Sequence, residues 1–450
     1  MTMLATLFRE KMKETKDYTK SAEMTFSVSY GTGFLPLDYA LGYVQETTDD
    51  VCTYELGLSD GSINTLIGNS GTGKTSLLVA IACNIAKRFN TSAIFMDQAE
   101  VGTHIMRLKN ITDIRNNQDF VNKFIIRDAG ITIESIYKRV KAIHDIKIAN
   151  PKKYLYDTGI IGLDGEKVMK FEPTIYIVDS LKLVLSEKNS EAGETNNMTG
   201  ATNAKANAEY YTKMVPLCRM ANIIMILVNH ITPRVNTNSF VHQSAEFPFL
   251  NQDEHLSNGK LLQYISNTML KLKVGDKLII GDKSNPYNIN GSIVNIDIIK
   301  SRTNKSGRGR CSLVFDQELG FDPDLSILEM LKSNKILEGS SGRYRIPGCD
   351  IVFTMKNFKQ ILYTNNEFRY AFNMFSGKYI IGLLSDEYER IRNDKLLTSG
   401  QSSYDSIIEM MSKPTTIKDI ENRDKSIKAS TIIEADYNES NEDDVFTLAD

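Results

Sequence analysis

The chain is short of several features that would have set its class. Its 450 residues include only five cysteines, at 52, 83, 218, 311 and 349. These have neither metal-site spacing nor an even disulfide count, so a reducing, cytoplasmic setting is expected. No apolar run reaches the roughly eighteen residues of a membrane span, so no membrane partner is expected. The opening MTMLATLFREKMKETKDYTK is charged throughout and lacks the apolar centre of a signal peptide. Charge of one sign is missing too: 53 basic and 56 acidic side chains leave a net charge of −3. That balance bears on nucleic-acid binding only through its distribution. The rest, 41% hydrophobic and 24% charged, is the composition of an ordinary globular protein long enough for more than one compact unit.

Against this background one stretch is distinctive: Gly68, Asn69, Ser70, Gly71, Thr72, Gly73, Lys74, Thr75 and Ser76. Each glycine adds backbone entropy that folding must overcome, a cost that makes sense where a phosphate approaches the main chain. The stretch fits the pattern G-x-x-x-x-G-K-[ST]. It follows the strand-like INTLIG and opens the helix-forming TSLLVAIACNIAKRF. A glycine loop between strand and helix aims several N–H groups at one point, at the positive end of the helix dipole. Residues 68–76 are therefore expected to bind ATP, with Lys74 on the β- and γ-phosphates and the Thr75 hydroxyl on Mg2+. A chance glycine-rich turn is the alternative, and the strand, loop and helix order speaks against it.

Asp179 ends the apolar run TIYIVDS, where a carboxylate would complete the magnesium site with Thr75. AIFMDQAE ends in Asp97, Gln98 and Glu100. Glu100 is the favoured catalytic carboxylate, orienting or activating water, with Asp97 as its support; Asp97 could equally cap a following helix.

Apolar strand-like runs alternate with helical segments from about 25 to 325, which indicates an α/β fold with a mostly parallel sheet flanked by helices. Alternating runs near 268–316 suit antiparallel strands added at one edge. Residues 152–171 resemble an inserted hairpin, and 186–204 and 232–260 read as long polar loops at the carboxyl edge. Lys188, Arg234 and Lys260 would give these loops charge, and Phe240, Phe247 and Phe249 could stack on bases or pack on their own domain. The expected division is 1–30 as an N-terminal helix and linker at an oligomer interface, and 31–325 as the core. A small mixed C-terminal region, 326–412, and an acidic tail, 413–450, would follow. From Glu434 onward the tail holds seven acidic residues and no basic one, as a solubiliser or as a competitor for DNA-binding surface.

The order SYGTGFLPLDYALG, phosphate loop, IFMDQAE, TIYIVDS, ILVNH and IIKSRTNKSGRGRCSLVFDQELGFD resembles RecA-type recombinases, particularly the phage UvsX group, over roughly residues 25–350. The resemblance implies a RecA-like P-loop NTPase core. It implies DNA-stimulated ATP hydrolysis, a helical homo-oligomeric filament on single-stranded DNA, pairing with double-stranded DNA, and help from a single-strand-binding protein and a loading mediator. The two long loops fall where the family keeps its DNA-binding loops. His230, otherwise an ordinary polar strand-end residue, takes the place of the family's γ-phosphate sensor. Lys300 and Arg302, one face of a strand by spacing, would reach a neighbouring subunit's ATP; an edge strand protected by basic residues is the plainer reading. The tail would act as a brake on duplex binding.

Three departures are visible. Glu100 lies three residues after Asp97 where the family usually has two, an aliphatic residue near Ile105 replaces the family's adenine-stacking aromatic, and the 152–171 hairpin is extra. A hexameric replicative helicase is the alternative, disfavoured by the roughly sixty residues before the phosphate loop. A non-enzymatic ATP-binding clamp is disfavoured by Lys74, Asp179 and Glu100 together.

Overall fold

The computed structural model describes residues 27–48, 51–100, 102–112, 114, 116–162, 167–191, 197–234, 244–280, 289–303, 309–339 and 342–398. Residues 1–26, which hold most of the expected N-terminal helix and linker, lie outside the described residues, as do Phe240 and the acidic tail. By internal contacts the chain divides into Met1–Asp386 and Glu387–Asp450. Of the second unit, the described part is helical, the end of Asn366–Thr398.

The first unit is built on a ten-stranded sheet. Its strands are β1 (Ile63–Gly68), β2 (Ile94–Gln98), β3 (Phe124–Arg127), β4 (Thr174–Asp179) and β5 (Ile223–Pro233). They continue with β6 (Glu254–Leu256), β7 (Thr268–Ile280), β8 (Ile289–Ser301), β9 (Arg310–Asp316) and β10 (Gly320–Asp322). The order is β10-β9-β8-β7-β1-β5-β4-β2-β3, with β6 paired to the end of β5. From β7 to β3 every neighbouring pair is parallel. β8, β9 and β10 extend the β7 edge in antiparallel fashion. This is the mostly parallel α/β sheet with an antiparallel edge that the apolar runs indicated.

Every residue of β1 and β4 is buried, as continuous apolar strands covered on both faces must be. Alternation sorts them between two cores: Ile175 and Ile177 face the helix α1 (Lys74–Ala86), whereas Tyr176 and Val178 face α2 (Ile133–Ala149) and α3 (Asn197–Ala221). Thr132 opens α2 with a reciprocal capping box to Ser135, which fixes where the chain leaves the sheet edge.

The long-loop reading of 186–204 needs correction. Its described residues from Glu187 on are helical, in Glu187–Glu191 and the first turns of α3. Tyr211, Met214, Cys218 and Ala221 give α3 a fully buried stripe at helical spacing, and that packing extends the helix into polar turns whose own pattern is weak. The segment 232–260 is also more ordered than its composition suggests. β5 continues to Pro233 against β6, and α4 (Gly259–Ile265) follows at once. Phe247 is buried, stacks on Phe249 at 5.3 Å, and occupies the space a side chain at Gly259 would need. It packs on its own domain and is not offered to bases.

The boundary expected after residue 325 falls inside α5 (Pro323–Ser333). A third core joins Ile280 and Val314 of the sheet to Leu325, Leu328, Phe353, Phe358, Phe368 and Phe372, so this region folds onto the β7–β9 edge. The inserted hairpin is present as Leu155–Ile161 paired with Lys167–Phe171.

Candidate active site

The parallel registers bring four strand ends together. Gly68 pairs with His230 and Asp179 with Gln98, so the residues that follow meet at the carboxyl edge, where open parallel sheets hold ligands.

The glycine-rich loop turns from β1 into α1 through Gly71 and Gly73, whose φ values of 78° and 82° lie in the region that glycine alone enters freely. Space before Gly71 is open, since a Cβ built there meets nothing within 4 Å. Gly73 caps α1, which points the first N–H groups of the helix at that space. Lys74 is 5% exposed, and its Nζ donates to the carbonyls of Gly68 (3.0 Å) and Asn69 (2.7 Å). Burial pushes its ammonium down to about 8, against the opposing pull of the Asp179 and Glu100 carboxylates.

Thr75 Oγ1 donates to Asp179 Oδ2 at 2.6 Å. Burial holds the Asp179 carboxyl above its ordinary value, and the Thr75 hydrogen bond offsets part of that effect. Beside this pair the backbone of Asp179 closes onto the segment after β2: its carbonyl accepts from Ala99 N–H (2.7 Å) and Glu100 N–H (3.3 Å). The Glu100 side chain is then met from two sides. Ser180 Oγ donates to its Oε1 at 2.7 Å, and His230 Nε2 lies 2.9 Å from the same oxygen. Burial, then the charge of Lys74, keeps His230 below its ordinary pKa.

Asp97 does not support Glu100 directly, nor does it cap a helix. It is wholly buried and takes a bidentate pair from Arg127 (3.0 and 2.8 Å), with Arg139 and the Tyr176 hydroxyl added. Arg139 also lies over the rings of Phe95 and Tyr176. Every acceptor site of this carboxylate faces a protein donor, which leaves Glu100 as the carboxylate available at the loop. Arg127, Arg139 and Ser180 were not singled out in the sequence. Ser180 is adjacent to Asp179, and Arg127 ends the next strand, but Arg139 carries no local signal.

Lys300 and Arg302 lie away from this loop. Lys300 pairs with Met269, which is level with Thr65, three residues before Gly68 and so roughly 10 Å back along the strand. Arg302 follows the end of β8 and is not a strand residue. Both donate to the end of α4, Lys300 to the Gln263 carbonyl and Arg302 to the Tyr264 carbonyl (2.8 Å), a placement that the helix dipole favours.

A cavity of about 960 Å³ opens beside α3 and α4, with Lys182, Asn203, Thr212, His255, Lys260 and Tyr264 among its lining residues. Lys260 thus shares a concave surface with Lys182. Arg234, at the end of β5, donates to the Ser244 carbonyl at 3.2 Å.

The donor chemistry fits a magnesium nucleotide. Among the described residues no group of three or more His, Cys, Asp or Glu side chains forms a metal cage. A hydroxyl and a carboxylate side by side suit Mg2+, which keeps several waters and substrate phosphates as ligands. Among the described residues no helix is long and apolar enough to cross a membrane. No protein-family model and no curated protein matches the chain.

Proposed function

We propose that the chain is an ATP-dependent DNA recombinase of RecA type, which assembles as a filament on single-stranded DNA, pairs it with duplex DNA and hydrolyses ATP when bound to DNA. One observation carries the reading: Glu100 and His230 meet beside the Lys74 loop, and His230 belongs to the strand that runs on to the 232–260 segment. A contact that touches both a nucleotide and the root of a DNA-binding segment couples the two.

Bound Mg2+–ATP supplies the phosphoanhydride and a metal that neutralises charge on its phosphates. The loop N–H groups and Lys74 position those phosphates, while Thr75 and Asp179 hold the metal side. Glu100 orients the attacking water and accepts its proton. Lys300 and Arg302, distant from the loop of their own chain, act on the nucleotide of a neighbouring subunit. The cleft with Lys182 and Lys260 receives phosphates of the single strand, an attraction that weakens steeply as salt rises.

Electron microscopy of the full chain with single-stranded DNA and ATP tests the proposal. Helical filaments support it. A closed six-membered ring would select the hexameric helicase instead, and dispersed particles would remove both.

A further inference from the structure

Ser180 has no role in the reading above, yet it is wholly buried and its hydroxyl meets the one carboxylate that the loop leaves available. It follows Asp179 directly. Three hydrogen bonds therefore run from this dipeptide to residues 99–100: Asp179 O to the two backbone N–H groups, and Ser180 Oγ to Glu100 Oε1. The same dipeptide holds Thr75 through Asp179 Oδ2.

Among the described residues, the side-chain contacts on Glu100 are one-sided. Ser180 Oγ and His230 Nε2 both approach Oε1. A carboxylate pinned by one oxygen presents the other in a fixed direction, and its rotamer freedom is already restricted before substrate arrives. A glutamate side chain left unpinned has three rotatable bonds and would reach the productive geometry only part of the time.

We propose that Ser180 is a positioning residue for Glu100, fixing Oε1 so that Oε2 faces the water that attacks the γ-phosphate. This rests on the ATPase reading. In this role Ser180 acts through Glu100, the side chain its hydroxyl meets.

The test is steady-state ATP hydrolysis by the full chain with single-stranded DNA, in wild type, Ser180→Ala, Glu100→Gln and the double variant. Ser180→Ala should lower kcat about ten- to a hundredfold, the range for one hydrogen bond to a charged group, with KM and ATP affinity unchanged. Added to Glu100→Gln, Ser180→Ala should cost nothing further, because the group it positions is gone. A general structural fault would instead lower both backgrounds alike. If Ser180→Ala folds poorly, Ser180→Cys, near in size but a far weaker donor, carries the same comparison. Wild-type kcat in the folded Ser180 variant beside an inactive Glu100→Gln overturns the inference, as does an additive loss in the double variant. Equal, measurable rates in wild type and Glu100→Gln would also overturn it, by removing Glu100 as the catalytic carboxylate, whereas absence of hydrolysis by the wild type would remove the ATPase reading itself.

Discussion

Thr75 Oγ1 and Asp179 Oδ2, 104 residues apart in the chain, lie 2.6 Å from each other. One stands in the first turn of α1 and the other at the last residue of β4. β5 separates β4 from β1, the strand that feeds α1, so the contact exists because α1 packs back over the sheet. In the proposed function, a hydroxyl and a carboxylate brought together in this way would form the metal-facing half of the site.

Lys74→Ala should reduce ATP hydrolysis by about two to three orders of magnitude, the usual loss when one phosphate-directed donor is removed. The melting temperature should change little, because water entering the space that the side chain vacates can serve the Gly68 and Asn69 carbonyls. Steady-state ATPase assays with thermal melts check both. An active, folded variant would contradict the assignment of the loop.

Asp97 and Glu100 should separate stability from chemistry. Asp97→Ala leaves Arg127 and Arg139 facing each other without their shared carboxylate, at a cost of about 3–5 kcal/mol for a broken buried pair. Glu100→Gln should unfold at nearly the wild-type urea concentration but hydrolyse ATP far more slowly. Denaturant curves and ATPase rates on the two proteins give the comparison.

Arg302→Ala should keep ATP binding and lose DNA-stimulated hydrolysis, since the side chain lies away from the phosphate loop of its own chain. Mixed with Lys74→Ala, it should regain part of the activity at interfaces where each subunit supplies an intact half. Absence of complementation at every mixing ratio would count against action between subunits and leave Arg302 as a cap on α4.

Lys147 should make stability depend on pH. Its buried ammonium donates to the carbonyls of Glu172 (2.6 Å) and Ala221 (2.8 Å), and burial pushes it down to about 7. In the unfolded chain it titrates near 10.4, so between about 7 and 10 the unfolded state binds more protons and stability rises with pH. Below about 7 both states are protonated and this contribution is constant. Lys147→Met should flatten that rise, as read from denaturation midpoints at a series of pH values.

The glycine turn between β1 and α1 was legible because its signals are local. Glycine at 71 and 73 is required by φ, and a strand and a helix flank the loop within a few residues of sequence. Asp179 was legible as the end of a continuous apolar strand. The helical start of α3 was not, because its polar first turns are held by the buried stripe further along rather than by their own pattern. In sequence Phe247 leaves two readings open, stacking on bases or packing on its own domain; the absence of a side chain at Gly259, twelve residues on, makes room for its ring.

By itself the sequence determined the parallel α/β sheet, the position of the loop and the residue types at the strand ends, since all of these follow from short-range periodicity and backbone preference. The choice between Asp97 and Glu100 lay beyond it, because both end the same strand and nothing local tells them apart. Tertiary structure tells them apart: Arg127 and Arg139, from β3 and α2, saturate Asp97, whereas Ser180, just past β4, and His230, in β5, meet Glu100. Side chains from separate elements compete for two carboxylates three residues apart, and only the packed sheet decides which partner reaches which.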